Sequence, residues 1–542
     1  MAHRGWHRAR RLSRSRHLAH RRPRGVRYVI SIPYVIARAA RTYGDAVAVT
    51  DGRRSLSFRD VDERSNRLAN GLLALSSEPS GRVAILTPNR LESVELDFAI
   101  AKAGKVRVPV NTRLSTDERA YILENSAAET LLFDSGEAEF VAAVRDRVPR
   151  CTFVAVGAVT EGTVHYDALR ADGRAVDPGV VLRPEDPSFI LYTSGTTGRP
   201  KGATATQASR WAATVSMLTD EIDAVPGDGM VHVGSMAHGS GSKVLAYFLR
   251  GARNIAVAKW DADAFIDLVS RERATASFLV PTMISMLVEA RRVNRHADLS
   301  TLKTLSYGGA PIAPALLRDA LDELGNVFVQ VYGSCEAPHP VLVLSRADHV
   351  DADDARLGSV GREVTACQVT IADEDGGAVA PGDKGEMWIK GDNVMRGYWD
   401  NPEATAAVMV DGWYRTGDIA TQDGDGFFTI VDRERDMIIS GGLNVYPAEV
   451  EAALHRHPAV LECAVFGVPD PRWGEAVTAA VVVRAGAVVT ESDLVEHCRH
   501  LVAGYKKPQR IEFHAQLPKG ATGKILKRSL RDPHWVGQSR AV

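Results

Sequence analysis

The chain is poor in the residues that mark several protein classes. Its five cysteines (Cys151, Cys335, Cys367, Cys463, Cys498) stand far apart in 542 residues, with no CxxC pair and no histidine at metal-ligand spacing. That excludes a disulfide framework and a zinc module, and it fits a reducing, cytoplasmic setting. No run of about 18 apolar residues occurs, which argues against a membrane-spanning helix. Lysine is scarce, 13 of 66 basic residues, and residues 1–44 hold twelve arginines with no Asp, Glu or Lys. Taking those twelve from the 66 leaves 54 basic against 67 acidic residues, so a body near −13 lies behind the formal net charge of −1. A body that acidic argues against a nucleic-acid partner. The basic stretch 1–27 reads as a disordered tail or translated upstream sequence in preference to a targeting signal, because Pro33 interrupts the apolar run at 28–37.

What is present is an ordinary globular composition, 45% hydrophobic and 25% charged, long enough for about three structural units. Apolar runs such as VAIL (83–86) and VRVPV (106–110) alternate with helical patterns from Ser57 to Ile122. The alternation returns from Pro187 to Gln330, with FILY, NIAVA, ASFLV and VFVQVYG as strands. Such spacing predicts βαβ units and parallel sheets. From Ala366 short strands with the turn signals DEDGG and PGDKG predict a small β-rich layer. After DRERD (432–436) a further alternation of about 110 residues suffices for a compact domain. The expected divisions are therefore a tail at 1–27, a large α/β domain at 28–431 built from two doubly wound subdomains plus the β-rich layer, and a smaller α+β domain at 432–542.

Residues 192–202, YTSGTTGRPKG, place four Ser and Thr hydroxyls, three glycines and two cations after a predicted strand. Backbone N–H groups, hydroxyls and a lysine on such a loop suit a polyphosphate, although no GxxxxGK[ST] pattern occurs. Further along stand GSMAHGSG (234–241), YGGAP (307–311), VYGSCEAP (331–338), WYRTGD (413–418) with DRERDMIISGGLNVYPAEVE (432–451), and PKGATGK (518–524). In this order they resemble the adenylate-forming superfamily of acyl-CoA synthetases, luciferases and nonribosomal-peptide adenylation domains, across roughly residues 30–530. The resemblance implies two steps: a carboxylate attacks the α-phosphorus of ATP and pyrophosphate leaves, then a thiol attacks the acyl carbon.

By that resemblance Thr193, Ser194, Gly195, Thr196, Thr197, Gly198 and Lys201 hold the triphosphate, and Glu336 is the Mg²⁺ ligand. Tyr332 and Gly333, with the backbone of Gly309, Ala310 and Pro311, take adenine. Asp418, assisted by Arg433, takes the ribose hydroxyls, a bidentate task for a carboxylate. Lys524 bridges the substrate carboxylate and α-phosphate, and Arg435 occupies the hinge about which the mobile small domain turns. Turning brings Gly441 and Gly442 to line a pantetheine tunnel, with Trp473, Tyr505 and Lys507 flanking the CoA path.

Two features depart from the pattern or narrow the substrate. Cys335 stands where the family usually has Thr or Ser, offering the α-phosphate a weaker donor. By the same resemblance the acid pocket is expected around His238 as its aromatic gate, Lys243, Tyr307, Gly308 and His339. An unpaired buried ammonium is costly, so Lys243 either pairs with a second anionic or phenolic group on the substrate or points past its helix to solvent. The leading expectation is a carboxylic acid:CoA ligase for a fatty or small aromatic acid, with ATP, Mg²⁺ and CoA. The alternatives are a stand-alone adenylating enzyme loading a free carrier protein, an ATP-dependent diazotase using nitrite and an aminoaromatic acid, and a non-catalytic nucleotide-binding protein. With little chain after Lys524, the acyl acceptor is expected to arrive in trans.

Overall fold

The computed structural model describes residues 30–78, 80–193, 200–433, 436–440, 443–470, 472–499, 501–520 and 523–536, and the side chains at 432, 433, 443 and 444 are outside it. The basic stretch 1–27 lies outside the described residues.

The first helix is Ile32–Tyr43, with Pro33 in its first turn after the N-cap Ser31. A proline there sacrifices only an N–H that has no helical acceptor. The helix Phe58–Leu75 starts on a reciprocal cap in which Ser57 and Asp60 exchange side-chain and backbone hydrogen bonds. The apolar stripe of the first helix and the start of the second meet in one core cluster with Phe98 and Phe248.

An eight-stranded sheet runs Gly397–Tyr398, Gly202–Thr206, Pro187–Tyr192, Val106–Pro109, Arg82–Leu86, Thr130–Asp134, Thr152–Val156, Val164–His165. Its centre is parallel, and the strands Pro187–Tyr192 and Gly202–Thr206 form an antiparallel hairpin whose tip is the 193–201 loop. The second sheet has nine strands, with Phe328–Tyr332, Thr304–Gly308, Ala276–Leu279, Gly229–His232 and Arg253–Ala256 adjacent and parallel at its centre. Its far edge is the hairpin Val47–Thr50 and Ser55–Ser57, which joins Arg253–Ala256 in parallel register, Val49 opposite Asn254. A stretch near the start of the chain thus completes the sheet built from its middle.

A third, antiparallel sheet is formed by Cys367–Ala372, Gly385–Gly391, Trp413–Gln422, Met409–Val410 and Phe428–Arg433. The last sheet holds Leu443–Val445, Ile438–Ser440, Gly474–Val483, Val460–Asp470 and Arg510–Phe513, packed on the helices Pro447–His455 and Glu491–Arg499. The architecture is α/β, a large N-terminal domain with a β-rich layer and a smaller C-terminal domain. Exposed ion pairs link the two: Arg456 with Asp354 at 3.3 Å, Arg484 with Glu289 at 3.3 Å, and Lys384 with Glu449 at 3.5 Å. Among the described residues no helix is long and apolar enough to cross a membrane.

Candidate active site

The ends of the central parallel strands converge with the β-rich layer. Tyr332, the last residue of Phe328–Tyr332, donates its hydroxyl to Asp418 Oδ2 at 2.6 Å, and Asp418 is only 6% exposed. Asp418 is held further by its own N–H donating to Thr416 Oγ1 at 3.0 Å, after the left-handed turn at Gly417. Arg433 stands opposite Asp418 in the strand register, and its side chain is outside the described residues. The turn Gly309, Ala310, Pro311 follows the strand Thr304–Gly308, with Gly309 at φ +81°. Gly308 lies so close to the next strand that a Cβ would stand 2.1 Å from the Val331 carbonyl oxygen, and one at Gly333 would meet His339 at 2.7 Å.

Thr193 closes the base of the phosphate-type loop, its N–H donating to the Lys201 carbonyl at 3.0 Å; Ser194, Gly195, Thr196, Thr197 and Gly198 lie outside the described residues. The Lys201 ammonium lies 5.1 Å from the centre of the Tyr398 ring. The Tyr398 hydroxyl in turn donates to Glu336 Oε1 at 2.8 Å. Lys201, Tyr398 and the nearly buried Glu336 therefore form one polar corner. Cys335 is half-buried against the adjoining core.

Lys524 reaches this region from the other domain. Its loop is closed by the Gly520 N–H donating to the Lys524 carbonyl at 2.7 Å and turns through Gly523 at φ +85°. Lys524 Cε would lie 3.8 Å from a Cβ built on Gly309, and a Cβ on Gly523 would be 3.6 Å from Val280. Burial holds the His238 imidazole down to about 4, and the nearby Arg107 and Lys524 charges push the same way. His238 is thus neutral near pH 7, at the N-cap of the helix Gly239–Leu249. The hinge residue expected at Arg435 lies outside the described residues.

Two expectations about the acid side are corrected. Lys243 neither faces solvent nor awaits a substrate anion: it is fully buried and ion-paired with Glu221. The Tyr307 side chain is on the opposite face of its sheet, donating to or accepting from His349 Nε2 at 2.9 Å within a separate core cluster. Period-two alternation gives the other face to Ser306, whose hydroxyl donates to Glu221 Oε1 at 2.5 Å. His339 does lie here, stacked on Phe278 at 5.6 Å and bonded through Nε2 to Ser242 Oγ at 3.1 Å.

Sequence reasoning missed Glu221, Ser306, Phe278, Tyr398 and Asn89. Asn89 follows the parallel strand Arg82–Leu86 and aims its amide at the carbonyls of His232 (2.9 Å), Gly234 (2.8 Å) and Val257 (3.1 Å), while its Oδ1 accepts from the Met236 N–H at 2.7 Å. It clamps the loop that carries His238. Its place just past a parallel strand's carboxyl end was the available signal; Glu221 offered none.

On the small domain Trp473 and Tyr505 are exposed, and Lys507 is half-buried. Gly441 and Gly442 lie outside the described residues; Ser440 pairs with Gly474, the residue after Trp473.

Comparison with known proteins finds matches along most of the chain. The AMP-binding enzyme model matches residues 36–399, and the AMP-binding enzyme C-terminal domain model matches 449–524. A feruloyl-CoA synthase from Amycolatopsis sp is 42% identical over 91% of this chain and 97% of its own. An indoleacetate–CoA ligase from Aromatoleum aromaticum is 35% identical over 89% and 94%. The crystal structure of an anthranilate CoA ligase in complex with anthranoyl-AMP superposes with a TM-score of 0.86 at 25% identity, covering 93% of this chain and 97% of that one.

Proposed function

Because this chain belongs to the AMP-binding enzyme family, we propose that it is an ATP-dependent carboxylic acid:CoA ligase, with an aromatic acid as substrate and an acyl-adenylate as intermediate. The observation that carries the reading is the placement of Lys524 beside Gly309 and His238, at the end of the strands that also present Tyr332 and Asp418. Adenylation brings one anion onto another, and a cation placed between them stabilises the charge that develops. Lys524 is that cation at the α-phosphate, and Lys201 with the 193–198 loop holds the outer phosphates.

Asp418 accepts the ribose hydroxyls, with Tyr332 fixing its carboxylate and offering a ring face to adenine. Glu336 is nearly buried, oriented by Tyr398, and adjacent to Lys201, which fits a hard cation shared with phosphates. No group of three or more metal-ligating side chains occurs among the described residues. Glu336 would therefore hold Mg²⁺ as one carboxylate alongside phosphate oxygens, and the ion would supply neutralisation of the leaving pyrophosphate. His238, neutral, gates the acid without adding charge. The aromatic class is favoured by the feruloyl- and indoleacetate-specific names of the relatives and by the Phe278–His339 stack.

In the second step the CoA thiol attacks the acyl carbon and AMP leaves. The small domain, taken from 432 onward, turns about Arg435, withdrawing Lys524 and presenting Gly441 and Gly442 with Trp473, Tyr505 and Lys507 toward CoA. ATP and CoA as co-substrates suit a cytoplasmic enzyme. The test is product stoichiometry with an aromatic acid, ATP, Mg²⁺ and CoA. Acyl-CoA, AMP and pyrophosphate in equal amounts are expected. Adenylation whose product passes only to a carrier protein, or turnover that requires nitrite, would replace the ligase reading.

A further inference from the structure

Behind the His238 gate the sheet face and the helix Gly239–Leu249 enclose a charged cluster that an alkyl-chain site would not contain. From the gate inward come Gly239, 3.5 Å from His339 Nε2 when measured from its would-be Cβ, then the stacked Phe278 and His339, then Lys243, Glu221 and Ser306. The helix starts with four small residues, of which Gly239 and Ser242 lie against His339. The Lys243 ammonium also lies 5.1 Å from the centre of the Phe278 ring, so it is held by the carboxylate and the ring face together.

Glu221 is presented in an unusual way. It ends a five-residue π-helical turn, Met217–Glu221, closed by the Ile222 N–H donating to the Met217 carbonyl at 2.9 Å. Such turns re-aim a side chain that a continuous α-helix would point elsewhere. The hydrogen-bond accounting around it is uneven. Oε1 receives both Lys243 and Ser306, whereas Oε2, equally buried, has no partner; His339 Nδ1 is likewise buried without one. A buried carboxylate oxygen left without a donor is costly. Burial opposes the charge on Glu221, but the Lys243 ammonium, helped by the Ser306 hydroxyl, outweighs it and holds its carboxyl below the usual range. The orphan is therefore a charged acceptor.

We propose that Glu221 Oε2 is the specificity-determining acceptor of the acid pocket, taking a hydrogen bond from a donor substituent, a hydroxyl or an amine, on the ring of the aromatic acid distal to its carboxylate. Lys243 and Ser306 are positioning residues: they hold Oε1 so that Oε2 faces the ring. The assignment rests on the ligase reading and narrows its substrate. A site built around a polar partner discriminates far more steeply than an apolar one, because an analogue lacking the donor leaves the buried acceptor unpaired.

The experiment compares kcat/KM for ATP-dependent pyrophosphate release by the full chain on cinnamic and benzoic acids carrying a hydroxyl, an amine, a methoxy or a methyl group at each ring position. The expected result is a preference of ~100-fold or more for a hydroxyl or amino acid over its methyl isostere at one position, and the better of those two arms identifies the donor. The second measurement uses Glu221→Gln, and Glu221→Leu combined with Lys243→Met, which removes both buried charges so that neither is left alone. In the double variant, checked for folding by thermal melting, the preference should fall to within ~5-fold of unity. Equal kcat/KM for donor and methyl acids in the natural enzyme overturns the proposal whether or not the variants fold, as does a preference that survives in a folded double variant. Release with no acid at all would instead overturn the ligase reading, and this assignment with it.

Discussion

Replacing Lys524 by Ala removes the cation that lies nearest the turn at Gly309 and leaves the Tyr332–Asp418 pair untouched. Pyrophosphate release should fall ~10³-fold or more, the scale of losing one preorganised charge-stabilising group, while ATP binding followed by calorimetry changes little. Unchanged turnover would remove Lys524 from the chemistry. At this scale the strings proposed for phosphate, adenine, ribose and lysine are short and contiguous, so their positions were legible, and the structure pairs Tyr332 with Asp418 and sets Lys524 beside Gly309. The pocket was not legible. Lys243 and Glu221 are 22 positions apart, and nothing in either local sequence says that a π-helical turn aims one at the other. Resemblance alone puts the strand end at Tyr307 in the pocket, but strand alternation turns that side chain away and presents Ser306.

Among the elements, the segment from Asn89 to His238 carries the clearest dependence on one side chain. Asn89→Ala orphans the carbonyls of Gly234 and Val257 and the N–H of Met236, and leaves the His232 carbonyl with the Val257 N–H alone. A loss of about 2–4 kcal/mol in denaturant unfolding is expected, together with a raised KM for the acid, since the loop holding His238 loses its clamp. An unaltered KM would show that the loop is fixed by other contacts. The strands were readable to within a few residues, FILY lying inside Pro187–Tyr192 and VAIL inside Arg82–Leu86. The hairpin Val47–Thr50 and Ser55–Ser57 shows the limit of such reading. It pairs with a strand some two hundred residues later, and local periodicity carries no record of a partner that distant.

Over the whole molecule, two properties follow from what is buried and what is exposed. His232 is fully buried between Ser240 and Asn254, and burial holds its imidazole down to about 4 from the ordinary 6.5. The unfolded chain therefore binds a proton that the folded one refuses, so stability is unaffected above 6.5 and declines as the pH falls from there to about 4. For this one group the loss is at most about 3 kcal/mol, and denaturant midpoints across that range should show it; His238 and His339, also near 4, act in the same direction. The two domains, by contrast, meet through exposed ion pairs worth about 0–1 kcal/mol each. Asp354→Lys sets like charges opposite Arg456 and Arg318. Pyrophosphate release should slow about two- to fivefold, with thioester formation from supplied acyl-adenylate nearly unchanged; equal slowing of both steps would argue against a turning small domain.

The most direct measurement is isotope exchange between pyrophosphate and ATP with an aromatic acid present and CoA withheld. An acyl-adenylate pathway predicts exchange that depends on the acid, needs no CoA, and disappears in Lys524→Ala. Exchange that occurs without any acid, or only once CoA is added, would contradict the formation of an acyl-adenylate as the first step.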